Sequence, residues 1–517
     1  MTFNIGINVI ETQGTATPAL PSVPTSRAGF IIRSKRGIDD GRVVEITSWR
    51  QFVTQFGEQM DGAYGAYALR GFFENGGSIA HVTRVLPSSS AGSVAVAASR
   101  DFASEGSASS TALTVTAGRL NEEDPGAWGN ELAVRIIAGP GDLVDLIVRY
   151  PGVDGRDVET WENLDFGSAA SRAAVQDRIN RSSNYIKVEV PNVGPPAATS
   201  TTSTTDEDFV LLGEAAASGT TTGTDGTFAA GAEVAAYQSA ITRFEGEPIQ
   251  LLCCPETHAT AVVRAGIDHC EALGDRMYVG HLQQTATPPS TDPVSTTLRG
   301  DKVYGALYAP WLAVSDPNSI DPKFVPPVGH VLGAYDRITR ERGVWRAPAG
   351  DIARLAGVLD TQWKVSDIDH TTFAKRYGVN LVRPLVGKGI VVDSARTLST
   401  NPLWYYINVR RLFNFVKTSL KDGLRWVAHE PNDPRLWDRV RLESVRPFLM
   451  NLWRQGAFGP GAPDEVFTIQ IDAANNPPAN IQLGRLDLDI TFYPSRPAET
   501  VVIRVGQQLG ASTATEA

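Results

Sequence analysis

A continuous apolar run from Ile249 to Cys254, a helical segment from Glu256 to Leu273 and a second apolar run from Met277 to Leu282 read as one βαβ unit. Strands take this unbroken apolar form when both of their faces are buried, inside a parallel sheet with helices on each side. The chain therefore needs a layered α/β core. Nearer the N-terminus, AGFIIRS from Ala28 to Ser34, Val43 to Ile46, and Ile79 to Leu86 read as further strands. Between them, Ser48 or Thr47 caps a helix carrying Trp49, Phe52, Val53 and Phe56, and Tyr64 to Glu74 forms another that stops at Asn75-Gly76-Gly77. Val303 to Leu312 adds a strand, and Asp316 to Pro327, with four prolines, reads as an irregular loop.

The ends behave differently. Phe3, Ile5, Ile7 and Val9 alternate with polar or small residues, the period of a half-buried strand, but the Thr- and Pro-rich stretch from Glu11 to Ser26 offers no hairpin partner. Val501, Ile503 and Val505 repeat the pattern behind Pro494 and Pro497. A single strand is not stable alone, so each must join a sheet elsewhere, in its own chain or in another copy.

Length sets the scale: 517 residues should divide into about three or four domains or subdomains. Between Pro87 and Ala235 the composition shifts to Ser, Ala, Thr and Gly, with strands at Thr111 to Thr116, Leu132 to Ala138 and Leu143 to Tyr150. Gly139-Pro140-Gly141-Asp142 joins the last two as a hairpin, and Asn180 to Val190 reads as a loop and strand. Gly194 to Asp206 and Ser218 to Thr227 are polar low-complexity loops. This region reads as an inserted β-rich domain.

The segment Ala395 to Asp433 combines several signals. Val409, Leu412, Phe413, Val416 and Leu420 fall on one helical face, Gly423 stands at the C-cap, and Trp426-Val427-Ala428 reads as a short buried strand closed by Pro431 and Pro434. From Arg435 to Arg454 a second helix places Val440, Val445, Phe448 and Leu452 on one side and Arg435, Arg439 and Arg446 on the other, a basic ridge that Pro447 should kink. Leu486 to Phe492 alternates as a late strand.

Catalytic and metal-binding patterns are weak. Cys253, Cys254, His258, His269 and Cys270 supply zinc-type ligands but not zinc spacing, and adjacent cysteines on a strand point to opposite faces. Gly387-Lys388-Gly389 lacks the first glycine and the final Ser or Thr of a phosphate loop. Asp487 and Asp489 lie on the polar face of a strand, and His429-Glu430 at a strand end reads as a structural pair. No G-x-S-x-G elbow occurs, so no catalytic, cofactor or metal residue is assigned. A net charge of -10 argues against general nucleic-acid binding, three cysteines give no disulfide framework, and no window reaches the apolar length of a membrane span.

Seven ordered blocks carry a family resemblance. GINVIE at 6–11, SWRQFVTQFGE at 48–58, LRGFFENGGSIAHVTRV at 69–85, VGHVLGAYDRITRERGVWRAPAG at 328–350, GKGIVVDSARTLS at 387–399, INVRRLFNFV at 407–416 and RPAETVVIRV at 496–505 resemble the contractile-tail sheath family of phages, tailocins and phage-like injection systems. Pro125 to Asn130 is similar to a turn of its larger members.

The resemblance implies a structural subunit that polymerises helically around an inner tube and contracts to drive that tube through a target envelope. It implies a homo-oligomer meeting tube, baseplate and terminator or cap proteins, without nucleic acid or membrane insertion, assembled in the cytoplasm into a phage tail or phage-like particle. It also implies that the terminal strands, Phe3, Ile5, Ile7 and Val9 with Val501, Ile503 and Val505, are exchanged between copies. Arg435, Arg439 and Arg446 are then candidate contacts to the tube.

The expected architecture is α/β (α+β) and multi-domain, with a mixed sheet and flanking helices. Residues 1–26 form an N-terminal arm, 27–86 the first part of the core, 87–235 the insertion, 236–350 an α/β subdomain, 351–494 the C-terminal core and 495–517 the C-terminal arm and tail. The rival readings are an α/β enzyme with a β-rich lid, and a surface-recognition module at 87–235 carried on a sheath body.

Overall fold

Eight strands build the central sheet, in the order Val44–Ile46, Ala80–Arg84, Ala28–Ile32, Leu251–Cys253, Met277–His281, Gly305–Ala309, Val379–Leu385 and Gly389–Val392. The six inner strands are parallel, and the two outermost pair antiparallel to their neighbours. The computed structural model describes residues 25–37, 41–87, 92–199, 208–214 and 219–499.

Every residue of Ala28–Ile32, Leu251–Cys253 and Met277–His281 is buried, as unbroken apolar runs require. Alternate side chains feed two cores. Phe30 and Ile32 pack beneath the helices Trp49–Phe56, Gly65–Glu74 and Val328–Arg342, while Ile31 and Leu252 face Ala232–Thr242 and Thr260–Leu273. Ser48 caps the first helix by accepting from the Gln51 N–H. Glycine sets the spacing of two others: a Cβ on Gly329 would lie 2.1 Å from the Ala68 carbonyl oxygen, and one on Gly333 2.3 Å from that of Phe72. Helices Gly65–Glu74 and Val328–Arg342 therefore touch backbone to backbone.

The Ser/Thr-rich region forms its own sheets around a separate core that includes Trp128, Ile136, Leu146, Val148, Ile179 and Val188. Ala133–Ala138 and Leu143–Tyr150 pair as the expected hairpin, with Gly141 at φ 67 in its turn. The strand Arg156–Asp165 and the helix Ala169–Ser182 complete the layer. At its junction with the body, buried Asp124 accepts from the Gly37 N–H at 2.7 Å and from Arg84 at 3.2 Å, and Arg36 lies 3.6 Å from its second oxygen. The Arg36 guanidinium is sandwiched 4.3 Å from Trp128 and 4.5 Å from Tyr185.

Several sequence expectations change. Trp426-Val427-Ala428 is no strand: Arg425–Val427 is a 3₁₀ turn, and the Trp426 ring packs against the Arg439 guanidinium at 4.3 Å, which propensity cannot anticipate. Gly423 is the last helical residue and Leu424 caps it. The run Val303 to Leu312 splits into Gly305–Ala309 and Leu312–Val314, which join different sheets, because Pro310 has no N–H to continue the ladder. The helix expected from Glu256 begins at Thr260, the loop Asp316 to Pro327 contains the strand Lys323–Val325, and Asn180 belongs to a helix.

The helix Arg435 to Arg454 is three segments: α-helix Pro434–Asp438, π-helix Arg439–Val445 and α-helix Arg446–Arg454. Pro447 supplies no N–H, and the wide turn before it, where the Arg446 N–H bonds to the Arg441 carbonyl, makes room for its ring.

Candidate assembly interface

Phe467-Thr468-Ile469-Gln470 and Asp489-Ile490-Thr491-Phe492 alternate apolar and polar residues, and they pair antiparallel as a separate two-stranded sheet. One face carries Phe467, Ile469, Ile490 and Phe492, which belong to the C-terminal core. The other presents Gln470, Asp489 and the Thr468 and Thr491 hydroxyls, which contact each other at 2.5 Å. Phe413 from helix Ile407–Gly423 stacks on Phe492 at 4.2 Å, and Phe458 lies 5.2 Å from the same ring. The helix that Ala395 to Asp433 was expected to contain thus carries this sheet. It is buried well beyond the expected stripe: Asn408, Arg410, Arg411, Asn414 and Ser419 are covered as well.

The connection between the strands is tied down by asparagines. The Asn475 side chain donates to the Gln470 carbonyl at 2.9 Å and to that of Asp487 at 3.1 Å, and Asn476 exchanges hydrogen bonds with the Asp487 backbone at 2.6 and 2.8 Å. Asp487 also accepts from Arg485 at 2.8 Å and from Asn480 at 3.1 Å, so this carboxylate orders the connection.

Among the described residues neither outer edge of this sheet has a strand partner. Among those residues it is a two-stranded sheet with an apolar floor and unpaired edges, the form of a template for added strands, because a free edge presents main-chain donors and acceptors. The strand Phe467–Gln470 was not foreseen, although its alternation was present in the sequence.

Phe3, Ile5, Ile7, Val9, Val501, Ile503 and Val505 lie outside the described residues. Arg435 and Arg446 are exposed, and Arg446 donates to Asp464 at 3.3 Å, whereas Arg439 is half-buried against Trp426. The π-segment between Arg439 and Arg446 holds one more residue per turn than an α-helix, so the three arginines do not share the even stripe expected of them.

The other candidate groups are dispersed. Cys253 and Cys254 enter opposite cores, and burial pushes both thiols well up from their ordinary value. No cluster of His, Cys, Asp and Glu suited to a metal ion occurs among the described residues. Lys388 sits in a hairpin turn and pairs with Asp351 at 2.6 Å, and His429, at φ 74, is exposed in a turn rather than at a strand end. No helix among the described residues is long and apolar enough to cross a membrane.

Residues 399–508, which span the central helix and the two-stranded sheet, match the family model of the phage tail sheath C-terminal domain. The C-terminal part of the chain is thus similar to a tail sheath domain. A tail sheath protein of Vibrio phage KVP40 is 25% identical over 183 residues, which is 35% of this chain and 26% of that protein. The match thus spans about a quarter of that relative's length. Solved structures extend the likeness of fold over most of the chain. The helical sheath of the anti-feeding prophage in its contracted state aligns with TM-score 0.56 at 18% identity, covering 98% of this chain and 100% of that one. A sheath tail protein from Desulfitobacterium hafniense aligns with TM-score 0.59 at 13% identity, covering 90% and 94%.

Proposed function

We propose that this chain is the subunit of a contractile sheath, polymerising around an inner tube and contracting to drive it through a target envelope. The observation that carries the reading is the open-edged sheet of Phe467–Gln470 and Asp489–Phe492, in a chain whose two ends read as strands without local partners. The terminal strands Phe3 to Val9 and Val501 to Val505 add to the free edges of neighbouring copies, linking them by main-chain hydrogen bonds that survive a change of lattice. Contraction then requires rigid subunits that re-dock and interfaces with two stable arrangements. The backbone contact of helices Gly65–Glu74 and Val328–Arg342 and the buried charge at Asp124 supply that rigidity. Such a sheath meets a tube, a baseplate and a cap, and Arg435 and Arg446, exposed on the broken helix, remain candidate tube contacts, with Arg439 a lesser one beside Trp426.

Negative-stain microscopy of the purified chain, with and without residues 1–20, tests this. The intact protein should form hollow striated cylinders and the truncated one a folded monomer. Normal cylinders from the truncated chain would refute the exchange.

A further inference from the structure

Both ends of the described chain leave the body beside the segment that follows Ala395. Thr25 and Ser26, at the root of the N-terminal arm, are held by Arg411 of the central helix, whose Nη2 donates to the Thr25 carbonyl and the Ser26 hydroxyl at 3.1 Å each, and to the Thr339 hydroxyl at 2.9 Å. Tyr335 faces this guanidinium at 5.0 Å. At the other end, Arg396 Nε donates to Glu499 at 2.9 Å, its Nη2 engages the second carboxylate oxygen, and the Tyr406 hydroxyl donates to the same carboxylate at 3.4 Å. The Arg396 backbone N–H donates to the Asn380 side chain at 2.6 Å, which ties the arginine to the central sheet.

The two anchors differ in chemistry. Arg411 is buried, its hydrogen-bond acceptors are neutral and the Asp336 carboxylate that acts on it is buried as well, so dissolved ions do not reach it. Arg396 and Glu499 are opposite charges in bidentate geometry, with 13% and 23% of their side chains exposed. That is shielded enough to hold and wet enough to be screened by salt. Pro497, Ala498 and Glu499 line a cavity of about 700 Å³ together with His370, Arg383 and Asp393. The root of the C-terminal arm lines this space and belongs to none of the apolar cores, and the ion pair is its charged tether.

We infer that Arg396 and Arg411 are positioning residues for the exchanged strands. Arg411 is a permanent anchor that fixes where the N-terminal strand leaves the body, and Arg396–Glu499 is a salt-sensitive latch that sets the exit direction of the C-terminal strand. The inference rests on the strand-exchange reading above. Opening the latch lets the root turn about Pro497 while the N-terminal exit stays fixed, so one link swings as the lattice changes and the other keeps its register.

The three native cysteines are buried, so a nitroxide on Ala498→Cys in the full-length chain reports on the root alone. At low salt the label should be immobilised. Glu499→Gln, Arg396→Glu, or about 1 M salt, where the screening length falls to about 3 Å, should mobilise it. Each single substitution should lower the yield of pelleted polymer about tenfold, as loss of a charged hydrogen-bonded pair implies, and the swap Arg396→Glu/Glu499→Arg should restore both signals. If the single variants leave label and polymer unchanged while removal of residues 500–517 abolishes assembly, the latch is wrong and strand exchange stands. If the chain lacking residues 500–517 assembles normally, the exchange of that arm falls, and the latch with it.

Discussion

Replacing Asp124 with alanine tests whether charge bolts the inserted β-rich domain to the body. Asp124 and Arg84 have fully buried side chains, and that of Arg36 is 3% exposed. Burial pushes the Asp124 carboxyl above its ordinary value, and the Arg84 and Arg36 guanidiniums oppose that shift by favouring the ionised form. Removing the carboxylate takes the Asp124 charge away from both guanidiniums and the acceptor away from the Gly37 N–H. Breaking a buried ion pair from one side costs about 3–5 kcal/mol. For a domain of this size, with a urea slope of about 2–3 kcal/mol per molar, the transition of the insert should move down by about 1–2 M. Trp128 donates to the Asp124 carbonyl and stacks on Arg36, so its fluorescence reports the event. A chain this long unfolds in more than one step, and the transition that carries the Trp128 signal is the one to follow. The triple variant Arg36→Met, Arg84→Met, Asp124→Leu should recover most of the loss, because apolar replacement of a whole buried charge cluster is often neutral. An Asp124→Ala shift below about 1 kcal/mol would refute the reasoning.

Two further outcomes follow from the body. Glu256 accepts N–H bonds from Arg33, Tyr64 and Gly65 at the start of a helix, yet burial dominates and lifts its carboxyl from the usual 4.5 to about 7. The folded state then binds a proton more tightly than the unfolded one, so this group makes stability fall as pH rises from 4.5 to 7 and level off above; thermal unfolding should show that slope, and Glu256→Gln should flatten it. Gly333→Ala places a methyl 2.3 Å from the Phe72 carbonyl oxygen and should lower stability by about 3 kcal/mol or more in calorimetry, unless the two helices separate at no cost.

The parts of this fold that were legible in the sequence are those in which one residue's chemistry decides its own conformation. Unbroken apolar runs marked the parallel strands, and Gly139 to Asp142 marked the hairpin turn. The strand Arg156–Asp165 went unseen because its core-packed residues Val158, Trp161 and Leu164 fall three apart across register shifts instead of alternating, and the helix Ala169–Ser182 because only Val175, Ile179 and Asn180 of it are buried. The π-segment has no compositional mark, since its extra residue per turn answers to Pro447 and to packing. Tertiary pairings are hidden for another reason: Asp124 meets Arg36 and Arg84, and Arg396 meets Glu499, across separations that no local pattern encodes. The proposed interface rests on both sources. The sequence pattern at both ends is that of strands without local partners, and the sheet proposed to receive them required the pairing of Phe467–Gln470 with Asp489–Phe492 to be known.

The most direct test is a helical reconstruction of the assembled sheath at side-chain resolution. Two additional strands from neighbouring copies should lie along the free edges of Phe467–Gln470 and Asp489–Phe492, with the Phe3-Ile5-Ile7-Val9 and Val501-Ile503-Val505 patterns in their density. Bare edges in an ordered polymer, or terminal residues folded back on their own subunit, would contradict the account.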